Sequence, residues 1–177
     1  MAANASRLGA DPMRLAVAGD SAGTVLATVA AIQARDTGGP AIAFQALLYP
    51  PAAGGHAGDY PSREQHAGGP TLTLRTMAYF NRLSYGEAGA APDWRGAPLL
   101  APRLAGLPPT LLQLAAHDPL RDEALAYGNA LLAAGNQCTI VEYRGLAHGY
   151  VSMGGGIAAA RLAQWQLAAA LQLALRP

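Results

Sequence analysis

Apolar residues along this chain change their period several times, and each change marks a boundary between a predicted strand and a predicted helix. Residues 14–18, RLAVA, form a short apolar run after Asp11 and Pro12; nothing in it alternates, which predicts a strand buried on both faces. Over 22–34, Val25, Leu26, Val29 and Ile32 recur at helical spacing until the breaker DTGGP stops the helix. Residues 41–50, AIAFQALLYP, predict a second strand, and the Gly- and Pro-rich stretch 51–70 predicts a long loop. A helix is expected over 71–84, packed through Leu72, Leu74, Met77, Phe80 and Leu83, with Thr71 and Thr73 weakening its first turn. Beyond another Pro/Gly-rich passage, the alternation resumes with a strand at 110–116, a helix at 121–134 closed by Gly135, a strand at 137–143 and a last helix over 157–175.

Strands alternating with helices of roughly ten residues or more require right-handed crossovers. The predicted fold class is therefore α/β, a mostly parallel sheet of about four strands with helices on both faces. Ligands in such sheets bind beyond the carboxyl ends of the strands. Composition agrees with a single globular unit, since 51% of the 177 residues are hydrophobic. Twelve Lys and Arg residues against 11 Asp and Glu leave a net charge of +1, with no basic stripe to track a phosphate backbone, so nucleic acid is not an expected partner. The single cysteine, Cys138, lies in the β-branched run CTIVEY and reads as a small buried hydrophobe. The first twelve residues lack a basic-then-apolar signal pattern, and no run approaches the roughly 20 apolar residues of a membrane span, which predicts a soluble, cytoplasmic chain without a membrane partner.

The candidate chemistry begins where the first strand gives way to the first helix. Gly19-Asp20-Ser21-Ala22-Gly23 fits G-x-S-x-G, and its setting between a strand and a helix is the one that lifts a serine hydroxyl above a sheet on a sharp turn. A helix-capping serine in a Gly-rich turn is the alternative reading of the pentapeptide alone. Because a serine hydroxyl is a weak nucleophile near neutral pH, it needs a base, and the base needs an orienting acid. Of the four histidines, His56 and His66 lie in the long loop, whereas His117 and His148 follow strands. His148 comes after the last strand, and Asp118 ends the third. An acid and a base arriving from adjacent strand ends make Asp118 the orienter and His148 the base, in the chain order of the α/β-hydrolase triad. No metal cluster and no phosphate-cradling loop is evident, so no cofactor and no metal is expected.

Three blocks, LGADPMRLAVAGDSAG, GLPPTLLQLAAHDPLRDEALAYGNALLAAG and VEYRGLAHGYVSM, resemble those of the hormone-sensitive-lipase-like esterases of the α/β-hydrolase superfamily, over nearly the whole chain. The resemblance implies a serine carboxylester hydrolase acting on small acyl esters through an acyl-enzyme. It also implies Ser21 as nucleophile, His148 as general base, Asp118 as its orienter and the Ala22 N–H as an oxyanion-hole donor. Asp122 and Glu123 are expected to serve as favourable charges in the first turn of their helix.

Members of that family carry an HGGG-type loop upstream of the serine, together with about the first half of the fold. The expectation is therefore a partial α/β-hydrolase fold, with 1–177 as the C-terminal part of the domain, a cap-like insertion at about 51–95, and Met1 as an internal start. The HAGG of residues 66–69 follows the serine and reads as a coincidental copy of the loop. Loss of one oxyanion donor typically removes a factor of about 100 to 1,000 in turnover, so weak activity, or a catalytically inactive remnant or interaction module, is expected. An unpaired edge at RLAVA further implies a homo-oligomer or a complementing chain that covers it. Thr24, where the family commonly has glycine, is expected to crowd the first helical turn slightly.

Overall fold

The four apolar runs form one parallel sheet in chain order: β1 (Leu15–Asp20), β2 (Ile42–Leu48), β3 (Thr110–His117) and β4 (Cys138–Ala147). The computed structural model describes residues 2–176. Helix α1 (Ala22–Thr37) joins β1 to β2, and α4 (Arg121–Ala133) joins β3 to β4. Between β2 and β3 lie the single turn α2 (Ser62–Gln65) and α3 (Leu74–Tyr85), and α5 (Ala158–Ala174) follows β4. The register sets Ala18 beside Ala46, Ala46 beside Leu111 and Leu111 beside Thr139. All four strands therefore end on one rim. Among the described residues, β1 pairs with β2 alone.

Two cores sandwich the sheet. Ala27, Ala31 and Ile32 of α1 and Tyr127 and Leu131 of α4 close over Leu47, Leu112 and Leu114 on one face. On the other, Ala160 and Ala163 of α5 pack with Leu48, Ala115, Leu146 and Tyr150. Alternate residues of β3 serve opposite cores, as a period of two requires. Each fully buried leucine is worth about 1.5–3 kcal/mol relative to exposure, so the helices are held chiefly by these faces rather than by propensity. Gly128 lets α4 approach closely, because a Cβ there would lie 2.6 Å from Leu112 and 2.7 Å from Ile140. No helix among the described residues is long and apolar enough to cross a membrane.

Apolar spacing marks each helix without deciding which of its members pack. Leu26 is 73% exposed, and the buried stripe of α1 runs instead through Thr24, Val25, Ala27, Thr28, Ala31 and Ile32. A helix seated on a sheet favours small residues at its contact line, and Leu26 falls on the far side of that line. In α3, Phe80 and Leu83 are 54% and 67% exposed, and no residue of that helix is buried. The helix starts at Leu74, later than expected, because Thr73 is its N-cap, accepting the Thr76 N–H at 3.0 Å; Leu72 is buried ahead of it.

Candidate active site

Ser21 occupies the turn between β1 and α1 with φ 49° and ψ −125°, a conformation that residues carrying a side chain rarely adopt. The turn exists because Gly19 tolerates the returning helix: a Cβ at Gly19 would lie 2.3 Å from the Gly23 carbonyl. Its geometry is tied down by the Ser21 N–H, which donates to the Leu48 carbonyl at 3.0 Å, and by the Thr24 N–H and hydroxyl, both donating to the Ser21 carbonyl. Thr24 is fully buried and joins the turn by this bond, so here its side chain closes the first helical turn rather than merely crowding it.

The rim brings the three predicted residues together. Asp118 directly follows β3 and His148 directly follows β4, and these strands are neighbours. His148 Nε2 lies 2.9 Å from Ser21 Oγ, and His148 Nδ1 lies 2.7 Å from Asp118 Oδ2. Asp118 is fully buried, and its other oxygen accepts the Leu120 N–H at 2.8 Å. The His148 side chain retains 11% of its accessibility. Its carbonyl accepts the Thr71 hydroxyl at 2.8 Å, which ties the β2–β3 connection to the site. Chemically this is a hydroxyl, an imidazole and a buried carboxylate in one hydrogen-bonded line. Ala22 is the first residue of α1, where a backbone N–H has no carbonyl one turn earlier to satisfy it.

The remaining histidines stand apart from this line. His56 Nε2 bonds the Ala91 carbonyl at 2.8 Å, while His66 and His117 meet edge to face with ring centroids 5.6 Å apart. In the 66–69 segment the Gly69 N–H donates to the His66 carbonyl at 2.9 Å and is thus committed locally.

The two acids after Asp118 do more than favour a helix start. Glu123 is buried, accepts the Ala53 N–H at 3.1 Å and pairs with the Arg63 guanidinium. Burial pushes its carboxyl above the usual range, against the pull of Arg63. Asp122 accepts the Ser62 N–H at 2.6 Å and pairs with Arg121. Its carboxyl lies below the usual range: burial raises it, but the Arg121 guanidinium and the Ser62 N–H outweigh that cost. Together these acids clamp residues 53–63 onto the start of α4, beside the loop that carries Asp118. Asp122 and Glu123 stand out in sequence as acids, but their partners lie about 60 to 70 residues away and no periodicity points to them.

Comparison with known proteins adds three findings. A family described as alpha/beta hydrolase fold matches residues 1–152. The chain is 42% identical over 161 residues to esterase LipI of Mycobacterium tuberculosis, covering 90% of this chain and 50% of that one, and 38% identical over 175 residues to carboxylesterase NlhH of the same organism, covering 97% and 54%. A crystal structure of a thermostable esterase from Pseudomonas putida superposes with TM-score 0.92 at 36% identity, over 99% of this chain and 56% of that one. The chain thus spans about half the length of the curated relatives it matches.

Proposed function

Since this chain belongs to the alpha/beta hydrolase fold family, in its hormone-sensitive-lipase-like branch, we propose that it carries the catalytic half of a serine carboxylester hydrolase acting on small acyl esters. The observation that carries the reading is the unbroken line from Ser21 Oγ through His148 to Asp118, at 2.9 and 2.7 Å. As His148 Nε2 takes the hydroxyl proton, Ser21 Oγ attacks the acyl carbonyl, and Asp118 stabilises the imidazolium that forms. The Ala22 N–H faces the oxyanion at the positive end of α1. Collapse breaks the bond to the alkoxide, which leaves with the proton held by His148, and the acyl group stays on Ser21. Water, activated by the same imidazole, then releases the acid and restores the serine. Names of the relatives support an ester as substrate, since all three compared above carry the word esterase.

Residues 51–95 belong to this reading as a cap-like insertion in the C-terminal part of the domain. The support is local: Thr71 bonds His148, and α3 leaves Tyr79, Phe80 and Leu83 more than half exposed. The test is a p-nitrophenyl acetate burst with peptide mass mapping. One acyl group per chain on Ser21 is expected, and a folded chain that gives no burst and no adduct refutes the reading.

A partner surface is part of the same proposal. Among the described residues β1 is paired on one edge alone, and Met13, two residues before it, is 72% exposed. An apolar strand with open N–H and C=O groups recruits another strand. A second copy or a complementing chain is therefore expected on this edge. Light scattering after size exclusion checks it: a dimer or larger species is expected, and a cooperatively unfolding monomer counts against it.

A further inference from the structure

The residue after β2 touches the site from a direction the triad does not use. Tyr49 is buried and adopts φ 43°, in the left-handed region that a bulky residue rarely enters. Three contacts hold it there. Its N–H donates to the Gln113 carbonyl of β3 at 2.8 Å, its hydroxyl donates to Asp20 Oδ2 at 3.3 Å, and its ring meets the His148 imidazole edge to face with centroids 4.7 Å apart. Behind it, the Tyr150 ring packs at 5.0 Å, and the Tyr150 hydroxyl donates to Gln113 Oε1 at 3.0 Å. Burial first, and the Asp20 carboxylate second, push the Tyr49 phenol far above its ordinary range, so that it stays a donor at any working pH.

We infer that Tyr49 is a positioning residue for the esterase reaction: its ring walls the imidazole of His148 and its hydroxyl steadies the Asp20–Ser21 turn. The inference rests on the proposed function. Asp118 fixes His148 at one nitrogen only, so the imidazole can still swing about that bond, and the tyrosine ring is the surface that stops it. Leu48 and Tyr49 are consecutive, and through the Leu48 carbonyl and the Tyr49 hydroxyl the same short segment grips both Ser21 and Asp20. One short segment spanning the end of β2 and the residue after it thereby sets the distance between nucleophile and base. Misplacement by about 1 Å can cost on the order of 100-fold in rate, which gives such a wall its kinetic weight.

Two variants separate the ring from the hydroxyl. Tyr49→Phe keeps the wall and loses the bond to Asp20, whereas Tyr49→Met fills the volume without a ring. The readouts are the pH dependence of Ser21 labelling by a fluorophosphonate and the low-field proton resonance of the His148 Nδ1–H. With Tyr49→Met, labelling is expected to slow by about 10- to 100-fold, with the resonance broadened or lost while circular dichroism is unchanged. Tyr49→Phe is expected to keep the resonance and lose less than about fivefold, because the ring still walls His148 and the bond it gives up to the Asp20 carboxylate is long, at 3.3 Å. A Tyr49→Met chain with parental labelling, pH midpoint and resonance overturns the inference, and so does a chain that unfolds with either replacement, since Tyr49 is then structural. If the parent itself does not label at Ser21, the esterase reading fails, and the resonance still decides whether Tyr49 orders His148.

Discussion

Ser21→Ala is expected to abolish the acyl burst, and Asp118→Asn to slow acylation by about 10⁴-fold, in chains whose melting stays cooperative. The reason for the second effect lies in how both oxygens of Asp118 are used. Oδ2 accepts from His148 Nδ1, and Oδ1 accepts from the Leu120 N–H. Asparagine can satisfy only one of them. If its amide nitrogen faces His148, Nδ1 becomes the acceptor and the ring proton moves to Nε2, the nitrogen that must be free to take the proton from Ser21. If the amide turns over, its NH₂ is set against the Leu120 N–H inside a fully buried site. Stopped-flow acylation of the two variants beside the parent checks this. An Asp118→Asn chain within tenfold of the parent rate removes Asp118 from the role proposed for it.

Glu123→Ala is expected to lower stability by about 3 kcal/mol, at the low end for breaking a buried pair. The Glu123 carboxylate is 1% exposed and the Arg63 side chain 18%, so the abandoned guanidinium regains only part of its hydration. The Ala53 N–H also loses its acceptor. For a chain of this size the loss corresponds to a melting temperature roughly 6–12 °C lower. Glu123→Gln keeps an oxygen for Ala53 and is expected to lose less, so the pair of variants divides the charge from the hydrogen bond. The neighbouring Asp122 follows a different pH dependence. Its folded pKa lies below the unfolded one, so its contribution is present above the ordinary carboxylate value and is lost as pH falls through the folded value. Glu123 runs the other way, its folded value being raised: its contribution is fully present below the unfolded value and declines as pH rises through the folded one. Thermal melts at several pH values should therefore find the gap between Asp122→Asn and parent closing in acid.

The serine turn was legible because everything it needs is local. Gly19 must lack a Cβ, Ser21 must follow a strand, and Ala22 must open a helix, and those demands fall within five consecutive residues. The placement of Asp118 and His148 at neighbouring strand ends was legible for a related reason, since a parallel sheet carries every strand end to the same rim once the alternation of strand and helix is read. Phe80 and Leu83 were misread because a period of 3.6 identifies a face without saying which apolar members of it are buried. The roles of Tyr49 and Glu123 had no sequence signal. Both sit in stretches that scan as ordinary, the end of an apolar strand and the acidic first turn of a helix.

By itself, then, the order of residues determined an α/β chain with four strands, a strained serine turn, and an acid and a base at neighbouring strand ends. These follow from side-chain period and turn sterics, which act over a few residues. Only the tertiary structure decided that Ser21, His148 and Asp118 meet at hydrogen-bond distance, that Glu123 reaches back to Arg63, and that the Tyr49 ring stands against His148. Such contacts depend on how 49–109 folds back between two strands, where packing and burial of charge choose one arrangement among many that local propensity leaves equal.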